Sequence, residues 1–126
     1  MKEENLGRDR AEVGRKGEDL ALEYLQKRGM SIVARNWRCG HKELDLIADD
    51  GLFLRIVEVR TLCYPNIRPP AESIGPMKRR KIMAAARRFV AEHGIINEVA
   101  FDIVSVVVNG EFYSLEYIEN AFLPEW

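Results

Sequence analysis

The sequence predicts an α/β fold, on three observations. Two segments carry apolar residues at three- and four-residue steps, the period of a helix with one buried face. Five shorter segments are rich in Val and Ile or alternate between apolar and polar residues, the habit of strands. Glycines, prolines and Asp-Gly or Asn-Gly pairs punctuate them. The resulting order is α-β-β-β-α-β-β, with no internal repeat and no second domain.

Residues 1–10 are polar and mixed in charge and read as a flexible tail ahead of a single domain over 11–126. A helix follows over 11–28, with Val13, Gly17, Leu20, Ala21, Tyr24 and Leu25 on one stripe. Lys27 and Arg28 suit the negative end of its dipole, and Gly29 supplies a left-handed stop. Strands are expected over 31–37, 43–49 and 53–60. In the second of these, Leu44, Leu46 and Ala48 face one way, and Glu43, Asp45 and Ile47 the other. Asp49-Asp50-Gly51-Leu52 between the last two is a hairpin signal. The connection over 61–75 holds Pro65, Pro69 and Pro70 and is long enough to suggest a functional or mobile segment. Pro76 opens a second helix that should run to His93 and stop at Gly94, burying Ile82, Ala86, Phe89 and Val90. Strands over 99–108 and 111–119, joined by Asn109-Gly110, close the chain.

A chain of 126 residues can bury a core without disulfides or metals, and 47% hydrophobic with 31% charged residues excludes disorder of the whole. The net charge of −1 excludes a strongly cationic protein, so any contact with nucleic acid must come from how charge is distributed. Cys39 and Cys63 have no zinc-finger spacing and read as free thiols. The polar start lacks the apolar run of a signal peptide, and no stretch approaches the roughly 20 apolar residues of a membrane span. A cytoplasmic protein without membrane contact is the expectation.

Chemistry concentrates on the first Asp-Gly hairpin. With Asp50-Gly51 as a two-residue turn, Glu43 lies opposite Glu58 and Asp45 opposite Ile56. Glu43, Asp45, Glu58 and Arg60 then project from one face. Carboxylates crowded on a sheet face repel one another. A divalent cation would offset this, since Mg²⁺ favours one or two carboxylates plus waters and phosphate oxygens. Arg60 and Lys42 could instead neutralise a solvated face, and on residue types alone that simpler account stands ahead. The second helix presents Lys78, Arg79, Arg80, Lys81, Arg87 and Arg88, a basic face suited either to a phosphate backbone or to plain solvent. Arg35, Trp37 and Arg38 add cationic and aromatic groups near the first strand. Trp37 fits the core or the sheet edge better than a stacked base. His41 and His93 belong to no nucleophile or metal motif, and no phosphate-binding glycine loop is present.

Several segments together resemble the YraN family: Gly14-Arg15-Lys16-Gly17-Glu18-Asp19-Leu20-Ala21, Arg35-Asn36-Trp37-Arg38, Glu43-Leu44-Asp45-Leu46-Ile47-Ala48, Val57-Glu58-Val59, Lys78, and Phe101-Asp102-Ile103-Val104. The likeness runs from about residue 14 to about residue 122. It implies a restriction-endonuclease-like, PD-(D/E)xK-type core, with a mixed central sheet flanked by helices, similar to that of archaeal Holliday-junction resolvases. In such nucleases a helix carboxylate, a strand aspartate and a Glu-x-Lys build a site for Mg²⁺ or Mn²⁺. Carried over, these are Glu18, Asp45 and Glu58, with Glu43 in support. Without the resemblance Glu18 reads as a surface residue. Gly17 beside it would let the helix approach the sheet.

One position departs from the family pattern. The lysine expected after Val57-Glu58-Val59 is Arg60, and the basic residue two places later is Leu62. Arginine keeps the charge to contact a phosphate, but it does not deprotonate and is not interchangeable with lysine. The resemblance therefore implies a divalent-metal-dependent nuclease acting on nucleic acid, DNA first. Asp45, Glu58, Arg60, Glu18 and Glu43 are the expected catalytic residues. Lys78, Arg79, Arg80, Lys81, Arg87 and Arg38 are the expected nucleic-acid contacts, and a homodimer is in keeping with nucleases of this fold. Two rivals stand beside it: a binding module of nuclease fold that has lost catalysis, motivated by Arg60, and a protein-interaction domain using residues 61–75.

Overall fold

The computed structural model describes residues 2–125, and its elements follow the predicted order. They are α1 (Lys2–Lys27), β1 (Ser31–Cys39), β2 (Lys42–Asp49), β3 (Phe53–Cys63), a short 3₁₀ turn (Pro70–Ser73), α2 (Pro76–His93), β4 (Glu98–Asn109) and β5 (Phe112–Phe122). Helix α1 starts at Lys2, well ahead of residue 11. The early residues continue the helix because propagation adds a hydrogen bond per residue fixed and no proline interrupts them. Helix α2 has the expected bounds, with Pro76 in its first turn and Gly94 left-handed at φ 59°, donating its N–H to the Val90 carbonyl.

The five strands form one sheet in sequential order, antiparallel except for the parallel pair β3–β4. A parallel pair needs a crossover, and α2 provides it. The helices cover opposite faces. Ala21 and Leu25 of α1 pack with Leu46, Ala48, Val57, Val104 and Val106. Ile82, Met83, Ala85, Ala86 and Phe89 of α2 pack with Ile47, Leu54, Ile56, Phe101 and Ile103. The expected mixed sheet flanked by helices is thus the observed architecture. No described helix is long and apolar enough to cross a membrane.

Three local expectations differ. The first Asp-Gly hairpin pairs Asp49 with Leu54 and Ile47 with Ile56, two residues further along β3 than a two-residue turn would allow. The cause is Asp50. Its carboxylate accepts the N–H groups of Leu52 and Phe53, and its own N–H reaches the Phe53 carbonyl, closing a four-residue loop with Gly51 at φ 97°. The shift is even, so β3 residues keep their faces while their partners change. Asn109 is a strand residue paired with Phe112, leaving Gly110-Glu111 as the turn. The β1–β2 turn is Gly40-His41 between Cys39 and Lys42. In both turns only the leading glycine has positive φ, the type II′ pattern that matches strand twist. Leu44, finally, packs in the α2-side cluster with Trp37 rather than with Leu46 and Ala48. The β2–β3 ladder ends at Leu46–Val57, and beyond it β2 pairs with β1 alone. A two-stranded ribbon twists more than a wide sheet and carries Leu44 round.

A polar staple crosses the sheet. Arg55, 7% exposed, donates to Asp50 and to both carboxylate oxygens of Asp102, which is 1% exposed. Asp102 also accepts from the Tyr117 hydroxyl and from the N–H of Asn120, the positive-φ residue beside the β4–β5 bulge. Hairpin loop, β3, β4 and β5 are thereby tied through one buried carboxylate. Burial and the hydrogen bond to Asp102 both push the Tyr117 hydroxyl pKa upward, which keeps it a donor.

Candidate active site

The point where β2 and β3 part company gathers the carboxylates. Continuing the register past Leu46–Val57 sets Asp45 against Glu58 rather than against Ile56. The ladder is not extended there. Instead the Asp45 carboxylate accepts the Val59 N–H at 2.9 Å, so a side chain takes the place of a strand carbonyl. Glu58 is buried, 8% exposed, and its Oε1 lies 2.7 Å from Nζ of Lys78 on α2. His41, Lys42, Glu43, Asp45, Glu58, Lys78, Lys81 and Ile82 line a cleft of about 240 Å³ between the open end of the β2–β3 hairpin and α2.

The electrostatics of this cleft are unusual for a surface hairpin. Burial raises the Asp45 pKa, and the neighbouring Glu58 raises it further. Glu18 adds to that, while the Val59 N–H and Lys78 oppose it, and the outcome is a carboxyl pushed up to about 7. One ammonium, that of Lys78, stands against the two carboxyl groups. Two carboxyl groups lining one cleft fit a small divalent cation that keeps waters and takes phosphate oxygens. Among the described residues, no group of three or more His, Cys, Asp and Glu side chains is arranged to hold a metal ion. The donor set on offer is therefore Asp45 and Glu58.

The other expected site residues scatter. Glu18 is near enough to influence Asp45 but does not line the cleft; it sits 3.6 Å from Arg35, which binds Asp19 more closely at 2.6 Å. Its approach depends on Gly17. A Cβ there would collide with the Thr61 side chain on β3, so only glycine lets α1 come this close. Glu43 lines the cleft and lies 3.7 Å from the exposed Arg38. Arg60 is not among the lining residues, and its Nε is buried without a hydrogen-bond partner among the described residues.

The basic helix divides by role. Lys78 and Lys81 face the cleft. Arg79 turns inward, donating to the Ile74 carbonyl and lying over the Phe122 ring, and so serves packing. Arg80 is exposed, Arg87 borders a separate hollow with Val90 and Asn97, and Arg88 pairs with Glu92. Trp37 packs edge-on against Phe89, a core contact. His93 stacks on Phe89 and contacts its carbonyl. His41, which belongs to no nucleophile or metal motif in the sequence, lines the cleft. Its place follows from the Gly40-His41 turn, a glycine-led turn between strand-like runs that the sequence does carry.

The model of the uncharacterised protein family UPF0102 matches residues 17–106, a span that holds Glu18, Asp45, Glu58, Arg60 and Lys78. A UPF0102 protein of Porphyromonas gingivalis is 38% identical over 116 residues, covering 90% of this chain and 86% of its own. One of Bacteroides fragilis is 36% identical over 124 residues, covering 98% of each. Another, of Geobacter metallireducens, is 36% identical over 111 residues, covering 87% and 91%. The motifs, the element order and these matches agree: the chain belongs to the UPF0102 family, the YraN family that its motifs resemble.

Proposed function

We propose that this protein is a divalent-metal-dependent phosphodiesterase acting on nucleic acid, with DNA the first substrate to try. One observation carries the reading. Asp45 and Glu58 meet at the fork of β2 and β3, in a cleft whose remaining charged groups include Lys42, Lys78 and Lys81. Carboxylates collect a cation and lysines collect a phosphate, and the cleft offers both within a few ångströms. Asp45 and Glu58 would hold Mg²⁺ or Mn²⁺, and the bound ion would polarise a phosphoryl oxygen and lower the pKa of a water. The chain's own part is positional. The Val59 N–H fixes one oxygen of Asp45, whose side chain lines the cleft. Exposed Arg80 and Lys81 on α2 continue the positive surface along which a phosphate backbone would lie.

The test is a cleavage assay on labelled duplex, single-stranded, flap and four-way-junction DNA and on RNA, each with EDTA, Mg²⁺ or Mn²⁺. Asp45→Asn should abolish metal-dependent cutting, a fall of about a hundredfold or more. Cutting that survives Asp45→Asn, or that ignores EDTA, would remove the assignment. Arg60 favours a second reading, a nuclease fold that binds without cutting. Salt-dependent binding with no cleavage by wild type or by Arg60→Lys would support it.

A further inference from the structure

The strand motif places arginine where a lysine would follow Glu58, and Arg60 does not line the cleft. A lysine reaches Glu58 by another route. Lys78 enters from the first turn of α2, on the far side of the 61–75 connection, and its Nζ stands 2.7 Å from Glu58 Oε1. It is also the cation that opposes the raised Asp45 carboxyl. Glu58 is 9% exposed in its side chain and Lys78 42%, so one partner is fixed and the other is free to shift. An exposed ion pair would contribute little, but this contact fastens onto a carboxylate held almost wholly out of water.

We propose that Lys78 supplies from α2 the ammonium that the strand motif of this chain lacks, and acts as the positioning cation of the cleft through Glu58. The proposal rests on the nuclease reading above and adds a residue to it. Basic residues of α2 otherwise serve as backbone contacts or packing groups, and Lys78 differs from them in its partner. Arg79 is held by Ile74 and Phe122, Arg88 by Glu92, and Lys81 lines the cleft with no carboxylate contact at salt-bridge distance among the described residues. An ammonium at 2.7 Å orients the Glu58 carboxylate and balances charge while no ion is present. It also competes with an incoming cation for the same oxygen.

Two readouts follow. In cleavage kinetics, Lys78→Met should lower kcat by about 10- to 100-fold while KM stays within about threefold, as for a group that orients a reacting carboxylate. Lys78→Arg should recover part of the loss. Lys81→Met, a neighbour on the same helix face, should instead raise KM and spare kcat, the mark of uniform binding. In Mn²⁺ titration of the protein without nucleic acid, Lys78→Met should bind the ion several-fold more tightly than wild type, because a competing positive charge is gone. A Lys78→Met protein that loses only KM is making a backbone contact, and one that keeps wild-type kcat plays no part; either result overturns the assignment. Should the wild type cut no substrate with any ion, the nuclease reading falls and the titration alone judges Lys78. Tighter Mn²⁺ binding by Lys78→Met would then uphold the competition at Glu58, and equal or weaker binding would end it.

Discussion

Asp45 is the cleft residue whose ionisation the fold alters, and its titration can be followed without any substrate. Its carboxyl ionises near 7 in the folded protein, against about 4 in an unfolded chain. Between those values the folded state holds a proton that the unfolded state has lost. Stability of the metal-free protein should therefore rise as pH is lowered from 8 toward 5, and fall again as pH climbs through 7. Asp45→Asn carries no such charge. It should be more stable than wild type at pH 8, and its thermal midpoint should lose this part of the pH dependence. Midpoints measured across pH 5–8 in EDTA check this, and parallel profiles for the two proteins would contradict it. The sequence singled out Asp45 and Glu58 by residue type, alternation and family likeness. Their common environment was legible only in part, because it depends on α2 folding over the sheet. Lys78 is separated from Glu58 by a proline-bearing connection, and no periodicity links the two. Arg60 was named for its place in the motif, yet sequence position says nothing about whether a long side chain reaches the cleft.

At the scale of elements, α1 is positioned by a missing side chain. Gly17 lies against Thr61 with no room for a Cβ. Replacing a helical glycine by alanine ordinarily gains up to about 1 kcal/mol. Here Gly17→Ala should destabilise by about 1–2 kcal/mol, since the helix or β3 must shift to admit the methyl group. Urea unfolding of Gly17→Ala, Thr61→Ala and the double variant reads this directly. The two substitutions should be non-additive, with the double variant recovering part of the loss. The helices and strands themselves were readable from apolar periods, and the bounds of α2 from Pro76 and Gly94. Strand register was not. The pairing of β2 with β3 follows from what the Asp50 carboxylate does with two N–H groups, and an Asp-Gly pair accommodates several loop lengths. The Asn109-Gly110 turn slips by one residue for a different reason: the glycine leads the turn instead of ending it.

For the molecule as a whole, the sheet is braced from its interior. Asp102 is almost fully buried and serves Arg55, Tyr117 and Asn120 at once. Asp102→Ala would leave Arg55 buried with only Asp50 as partner and free the Asn120 N–H, and should cost about 3–5 kcal/mol. Chemical denaturation would show this as a lower midpoint. A change below about 1 kcal/mol would mean that the network contributes little. The family likeness made the architecture legible from end to end, while this brace was invisible: Asp102 read only as one letter of a motif. It has a bearing on the cleft that neither end of the network reveals alone. Asp50 sets the length of the hairpin loop, and Arg55 locks that loop to β4 through Asp102. The loop thus behaves as a ruler measuring the distance from Asp45 to Glu58. One extra residue between them would be absorbed in the loop at the expense of the Asp50 contacts, because buried Leu54, Ile56 and Val57 hold β3 to its faces. The stretch from 45 to 58 is in this sense a fixed gauge, and a change in its length is felt first at the Asp50 and Arg55 contacts.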